Sequence, residues 1–261
     1  MVIPCLFLVL GSAFAQSTQP AESPLLRTAA HPENLSTPPK PAAPVPLSSE
    51  MRGDIFMARK MYREAIEAYR ESSPHSAVLE NKIGIAYHQM LLLDKAKKQY
   101  ERSIKLNPSY SEAINNLGAI YYAKKSYRKA VKYYKKALKI TPASASIYSN
   151  LGTAYFARKK YEDAFAAYQK ALELDPEVFE HRSTNGVLLQ ERSVQERAKF
   201  HFYLAKTYAK AGNAERALLY MRKAIEEGFK DRNRFAEEPE FAPLRALPEF
   251  QQLLVMEARV L

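Results

Sequence analysis

The chain has 261 residues, 39 Lys and Arg against 28 Asp and Glu, and a formal net charge of +11. It has no Trp, 16 prolines concentrated before residue 47, and one cysteine, Cys5. That length accommodates one elongated repeat domain and a tail, and a single thiol near the start leaves the rest to apolar packing without disulfides.

Residues 1–15 read as a signal peptide. The apolar run from Val2 to Leu10 is too short to span a bilayer and suits an export signal. Ala13-Phe14-Ala15 supplies a small-x-small site, so cleavage is expected after Ala15. No Lys or Arg precedes the run, and Cys5 lies too early for a lipoprotein site. The competing reading, an apolar element of the fold, is disfavoured by the stretch that follows. Residues 16–47 are rich in Pro, Ser, Thr and Ala, with Pro38-Pro39-Lys40-Pro41 and Pro44-Val45-Pro46. Such a segment buries little apolar area and reads as an extended or disordered linker, or as a polyproline ligand for another domain.

From about residue 46 the pattern turns helical, with apolar residues at i, i+3, i+4 and i+7. Three consecutive blocks, 77–110, 111–144 and 145–178, keep one 34-residue period in five residue classes. These are Gly84, Gly118 and Gly152; Tyr87, Tyr121 and Tyr155; Ala96, Ala130 and Ala164; Tyr100, Tyr134 and Tyr168; and Pro108, Pro142 and Pro176. Each block reads as two short antiparallel helices. Gly118 and Ala130 are small where the pair must approach closely. Tyr121 and Tyr134 fill the space between, with hydroxyls expected to reach the surface. Asn107-Pro108, Thr141-Pro142 and Asp175-Pro176 end each second helix, because proline disfavours a helical residue before it and donates no hydrogen bond.

Two blocks are less regular. Residues 46–76 carry Gly53, Phe56, Ala65 and Tyr69 but run about three residues short. Residues 198–228 carry Leu204, Ala205, Tyr208, Ala217 and Ala224, with Gly212 at the turn between helices and Gly228 as a C-cap. An insert at 179–197 contains Ser183-Thr184-Asn185-Gly186, a turn signal. It reads as a loop, or a short hairpin, feeding an extended first helix. In the tail, 229–261, Phe235, Phe241, Leu244, Phe250, Leu253 and Leu254 are expected to cap the open end of the stack.

These positions resemble the tetratricopeptide-repeat family, down to Ile114, Leu117, Gly118, Tyr121, Ala130, Tyr134, Ala137 and Pro142 in the middle unit. The resemblance implies an all-α, right-handed superhelical solenoid of antiparallel helix pairs across 48–228, closed by the C-terminal cap. It also implies a binding role, with the first helix of each unit lining a concave groove. Groove positions then hold Lys82, Asn116 and Asn150, with Asn81 and Asn115 beside the first two. An amide side chain donates and accepts, so a row of them can pair with a peptide backbone of any sequence. The family's clamp for a C-terminal carboxylate is not matched, since Ile85, Ser146 and Asn150 stand where it needs Asn, Lys and Arg.

The positive charge falls in runs one period apart. Lys95, Lys97, Lys98, Arg102 and Lys105 lead to Lys124, Lys125, Arg128, Lys129, Lys132, Lys135, Lys136 and Lys139, and then to Arg158, Lys159 and Lys160. Lys125, Arg128, Lys132, Lys136 and Lys139 are expected on one outer basic face. That face is an ordinary solvated surface or a contact for anionic lipid or envelope polymer. Nucleic acid is disfavoured, because no zinc-finger, RNA-recognition or helix-turn-helix signature is present.

His31, His75, His88, His181 and His201 show no metal-ligand spacing, and no phosphate loop or nucleophile motif appears. The sequence therefore points to an exported, periplasmic or secreted bacterial scaffold without catalysis, metal or cofactor. It would bind a protein or peptide partner and have no transmembrane span in the mature chain. The alternatives are surface association through the basic face and a structural subunit of a larger complex.

Overall fold

The computed structural model describes residues 47–74, 76–180 and 193–256, and everything below concerns those residues. The signal peptide, most of the Pro-rich linker, His31, His75, His181 and the Ser183–Gly186 turn lie outside them.

Helices form where the periodicity places them. They fall into five pairs: α1 (Ser49–Ala58) with α2 (Tyr62–Glu71), α3 (Ala77–Gln89) with α4 (Leu93–Leu106), α5 (Ser111–Ala123) with α6 (Tyr127–Ile140), α7 (Ala145–Ala157) with α8 (Tyr161–Leu174), and α9 (Val194–Lys210) with α10 (Ala214–Glu226). From α1 to α10 each helix packs on the next in the chain, and the first helices α3, α5 and α7 also touch in turn. The result is an all-α helical-repeat solenoid. Ser48, Ser76, Ser144 and Ser193 start four of the first helices, each side chain accepting a hydrogen bond from a main-chain N–H three residues on. At the other end of the units α4, α6 and α8 stop two residues before Pro108, Pro142 and Pro176.

Within every unit the two helices are joined by the same turn. Lys60, Leu91, Lys125, Lys159 and Gly212 sit at φ of 60, 59, 58, 60 and 78°. The next residue then bonds back five positions, as in Ser126 N–H to the Tyr121 carbonyl at 2.8 Å. This closes the last carbonyls of the first helix and reverses the chain. Lys124 and Lys125 therefore belong to the turn and not, as their place in the basic run suggests, to the second helix.

The core of the first four pairs rests on one contact. Gly53, Gly84, Gly118 and Gly152 each face a tyrosine sixteen residues later, Tyr69, Tyr100, Tyr134 and Tyr168. A Cβ on those glycines would meet the ring at 2.3, 2.5, 2.7 and 2.4 Å. Here glycine is required for space, not for backbone freedom. The fifth pair keeps the spacing with Ala205 and Met221, a larger small residue and a narrower large one, both fully buried. Tyr134 does not carry its hydroxyl to the surface. The side chain is wholly buried and the hydroxyl has no partner, while Tyr121 lies half-buried and stacked on Tyr133 at 5.1 Å. Burial, with Tyr122 beside it, raises the Tyr134 phenol well above its usual range.

α9 has 17 residues where α3, α5 and α7 have 13. Phe202 to Ala209 are buried in succession, because the tail covers the side of α9 that a sixth unit would occupy. That tail comprises α11 (Asn233–Glu237), a 3-10 turn (Pro239–Leu244) and α12 (Pro248–Val255). Phe235, Phe241, Leu244, Phe250 and Leu253 are buried there and Leu254 half-buried. Phe202 stacks on Phe229 at 4.5 Å and meets Phe235 edge-on at 5.1 Å.

Two substitutions in the third unit separate space from polarity. Gly118→Ala gains about 1 kcal/mol of helix propensity but forces a ring out of place, at about 1–3 kcal/mol. A net loss of about 1 kcal/mol is expected in urea unfolding. Tyr134→Phe removes a buried unpaired hydroxyl, so stability should hold or rise by up to about 1 kcal/mol.

Candidate functional site

The asparagines of the first helices are not a row of free amides. Asn81, Asn115, Asn116 and Asn150 are all buried. The Asn116 amide donates to Asn81 Oδ1 at 3.0 Å, and the Asn150 amide donates to Asn115 Oδ1 at 3.1 Å. Within α5 the Asn115 amide reaches Asn116 Oδ1 at 3.4 Å. Four side chains thus form one polar chain across α3, α5 and α7. Its links span 35 residues and not the 34 of the repeat, because each first helix is turned so that the fifth position of one unit faces the sixth of the next. The chain ends at α7, where Ser149 stands in the place of Asn81 and Asn115. Buried amides must be bonded, and these satisfy one another.

Lys82 is outside this chain. Its ammonium lies 2.8 Å from both Glu50 Oε1 and Asp54 Oδ1 of α1. Partial burial works to lower its pKa, but the bonds and charges of Asp54 and Glu50 outweigh it and hold the ammonium above its usual range. Asp54 also accepts from the Tyr69 hydroxyl at 2.8 Å. Lys82 thus ties the first unit to the second and remains half-exposed. Along the same row Glu112 and Ser146 are exposed and Ser149 is half-buried.

At the fifth unit the corresponding positions are Phe202 and Tyr203, closed over by the tail. The Arg234 guanidinium lies 4.4 Å from the Phe202 ring centre and bonds Glu238. The buried Lys206 ammonium lies 2.6 Å from Glu238 Oε2 and 3.7 Å from Glu240 Oε1. Burial alone would lower the Lys206 pKa; Glu238 and Glu240 raise it above the usual lysine range. Sequence reasoning missed this cluster, since nothing in the spacing links Lys206 to acids more than thirty residues on.

The basic residues divide between two places. Arg128, Lys132, Lys136 and Lys139 are exposed on α6, whose fourteen residues include no acid. Lys125 is in the turn before α6. Lys125, Ser126, Tyr127, Arg128, Lys129 and Arg158 line one open depression between that turn and the end of α7. Tyr122 and Phe156 are buried, Phe156 edge-on to Tyr161 and Phe200. Burial holds the His88 and His201 pKa values below the usual range, with Glu227 opposing the shift at His201. Among the described residues no three His, Cys, Asp or Glu are grouped to hold a metal ion.

Family models described as tetratricopeptide repeat match residues 81–110 and 145–178, and one described as TPR repeat matches 119–157. No curated protein matches the sequence. Among solved structures the chain is similar to MamA, at 20% identity and TM-score 0.47 over 67% of this chain and 93% of that one. It is similar to a MamA segment from Desulfovibrio magneticus RS-1, at 23% identity and TM-score 0.47 over 67% of this chain and 90% of that one. YrrB, described as a TPR protein with an unusual peptide-binding site, is 18% identical, with TM-score 0.43 over 51% of this chain and 68% of that one.

Asn116→Ala strips Asn81 Oδ1 and the Asn115 amide of their partners at once. A loss of about 1–3 kcal/mol in urea unfolding is expected, against near-neutrality for the exposed Ser146→Ala. An unchanged midpoint for Asn116→Ala would show that the amides carry no structural role.

Proposed function

The chain belongs to the tetratricopeptide-repeat family over residues 81–178, and from that premise we propose that it is a non-catalytic scaffold. It holds a segment of a protein partner along the first helices α3, α5 and α7. Family membership supports a protein or peptide partner. The observation that carries the finer reading is the amide chain. By bonding one another the buried amides hold α3, α5 and α7 in register, and exposed Glu112 and Ser146 with half-exposed Lys82, on that rigid row, offer a partner segment polar contacts at low reorganisation cost. The buried aromatic closure at α9 ends this row, so the partner segment lies against the second to fourth units.

An exported, envelope location is part of the proposal and rests on residues 1–15 alone. No described helix is long and apolar enough to cross a membrane.

The test avoids the buried amides, whose loss would disturb the fold. Glu112→Arg with Ser146→Arg adds bulk and charge at two exposed positions of the row and should leave unfolding unchanged. Photo-crosslinking in envelope extract, with the label beside Ser146, should give a discrete partner whose yield falls about ten-fold or more in the variant. Equal yields would place the binding face elsewhere.

A further inference from the structure

The five turns that join first to second helices recur at one edge of the solenoid, because equivalent positions of stacked units keep the same side. Two contacts link neighbouring turns. Lys124 pairs with Asp94 of the preceding unit, and Lys125 shares its depression with Arg158 of the following one. This edge carries an unusual side chain. Leu91 is 78% exposed and sits at φ 59°, a backbone form that glycine or asparagine adopts at lower cost. Leu92, 36% exposed, follows it, and Met61 is 37% exposed at the turn before. Neither packing nor turn geometry asks for a leucine at residue 91. The unit pays in backbone strain and in apolar exposure to present one.

Around this aliphatic tip the edge is cationic. Lys60, Lys125, Arg128, Lys129, Arg158 and Lys159 form no ion pair among the described residues, though Lys129 lies over the Tyr121 ring; of the acids in the first turns of α2, α4, α8 and α10, Asp94 and Asp163 are taken by Lys124 and Lys160, and the exposed Glu64, Glu162 and Glu215 are outnumbered by the cations. We propose that this turn edge docks on an anionic phospholipid surface. Leu91 and Leu92 enter the headgroup layer and the flanking cations meet lipid phosphates. Apolar side chains set among unpaired cations are the makings of a peripheral membrane contact, in which buried apolar area and attraction to anionic lipid add. Polyanions such as nucleic acid account for the cations but give two aliphatic side chains nothing to do, since single strands stack on aromatic rings. Since the turns lie at helix ends, the helices stand away from the membrane and the row on α3, α5 and α7 stays open. The docking edge is separate from that row and does not depend on its occupant.

The test is sedimentation of the full chain with vesicles of equal parts phosphatidylglycerol and phosphatidylcholine, at low and high salt. Vesicles of phosphatidylcholine alone and an oligothymidine strand are run beside them. Leu91→Asn keeps a residue that tolerates the left-handed turn and removes the apolar tip, so it folds at least as well as the parent. Binding to the anionic vesicles is expected, falling steeply with salt. It should drop about five-fold for Leu91→Asn and about five-fold or more for Lys125→Gln with Arg158→Gln. Overturning results are no binding to the anionic vesicles at low salt, or binding indifferent to Leu91→Asn. Equal binding to neutral vesicles would also overturn the proposal, by assigning the contact to another part of the chain. So would oligothymidine binding that exceeds lipid binding.

Discussion

A tyrosine ring laid against the backbone of a glycine sets the spacing of the first four helix pairs. Gly53, Gly84, Gly118 and Gly152 have no Cβ because the ring of the tyrosine sixteen residues on occupies that volume. The approach fixes how closely α1 meets α2, α3 meets α4, and so on. It also places the small alanines of the second helices, Ala96, Ala130 and Ala164, in full burial. The hydroxyls show what is being selected. Those of Tyr100 and Tyr134 are buried without a partner, so the ring's shape and area outweigh the cost of a stranded polar atom. Only the shape requirement survives in the fifth pair, where Ala205 and Met221 take the same two positions.

Pairs fixed in this way still expose an apolar face and must stack. The seam between units is where polar chemistry enters. Asn81, Asn116, Asn115 and Asn150 link three first helices through a buried chain of amides. A slip of one residue between units would leave several of them unbonded, so the chain holds register at some cost in apolar burial. At α9 the same positions become aromatic, and the tail closes over them with Phe229, Phe235 and Phe241. Lys206 and Arg234, both paired with Glu238, secure that closure. The stack is therefore polar along its middle seam and aromatic at its capped end, and that difference confines the proposed partner row to the middle units.

The helix pairs and their ends were plain in the sequence because their causes are local. A glycine, a ring at fixed distance and a proline after the last turn act within one unit and recur every 34 residues. The amide chain was half legible. The residues were visible, but their pairing depends on how far each unit rotates on the last, and the period of 34 does not encode a link of 35. Exposure of the Tyr134 hydroxyl was misjudged for a related reason: whether it reaches water is decided by neighbouring helices, not by its own. Lys125 falls in one basic run with the residues of α6, and no glycine marks it as the turn. Four of the five turns accept a strained non-glycine residue, and only Gly212 announces itself. The acids that hold Lys206 lie in the irregular tail, where no period points to them.

The measurement that tests the central contact most directly is a double-mutant cycle on Gly84 and Tyr100, using the pair found in the fifth unit. Gly84→Ala, Tyr100→Met and the double variant would be unfolded in urea beside the parent. If a ring on a glycine sets the helix spacing, the two losses compensate, and the double variant is more stable than their sum by about 1 kcal/mol or more. Additive losses would contradict the account, showing that helix spacing is fixed by something other than that contact.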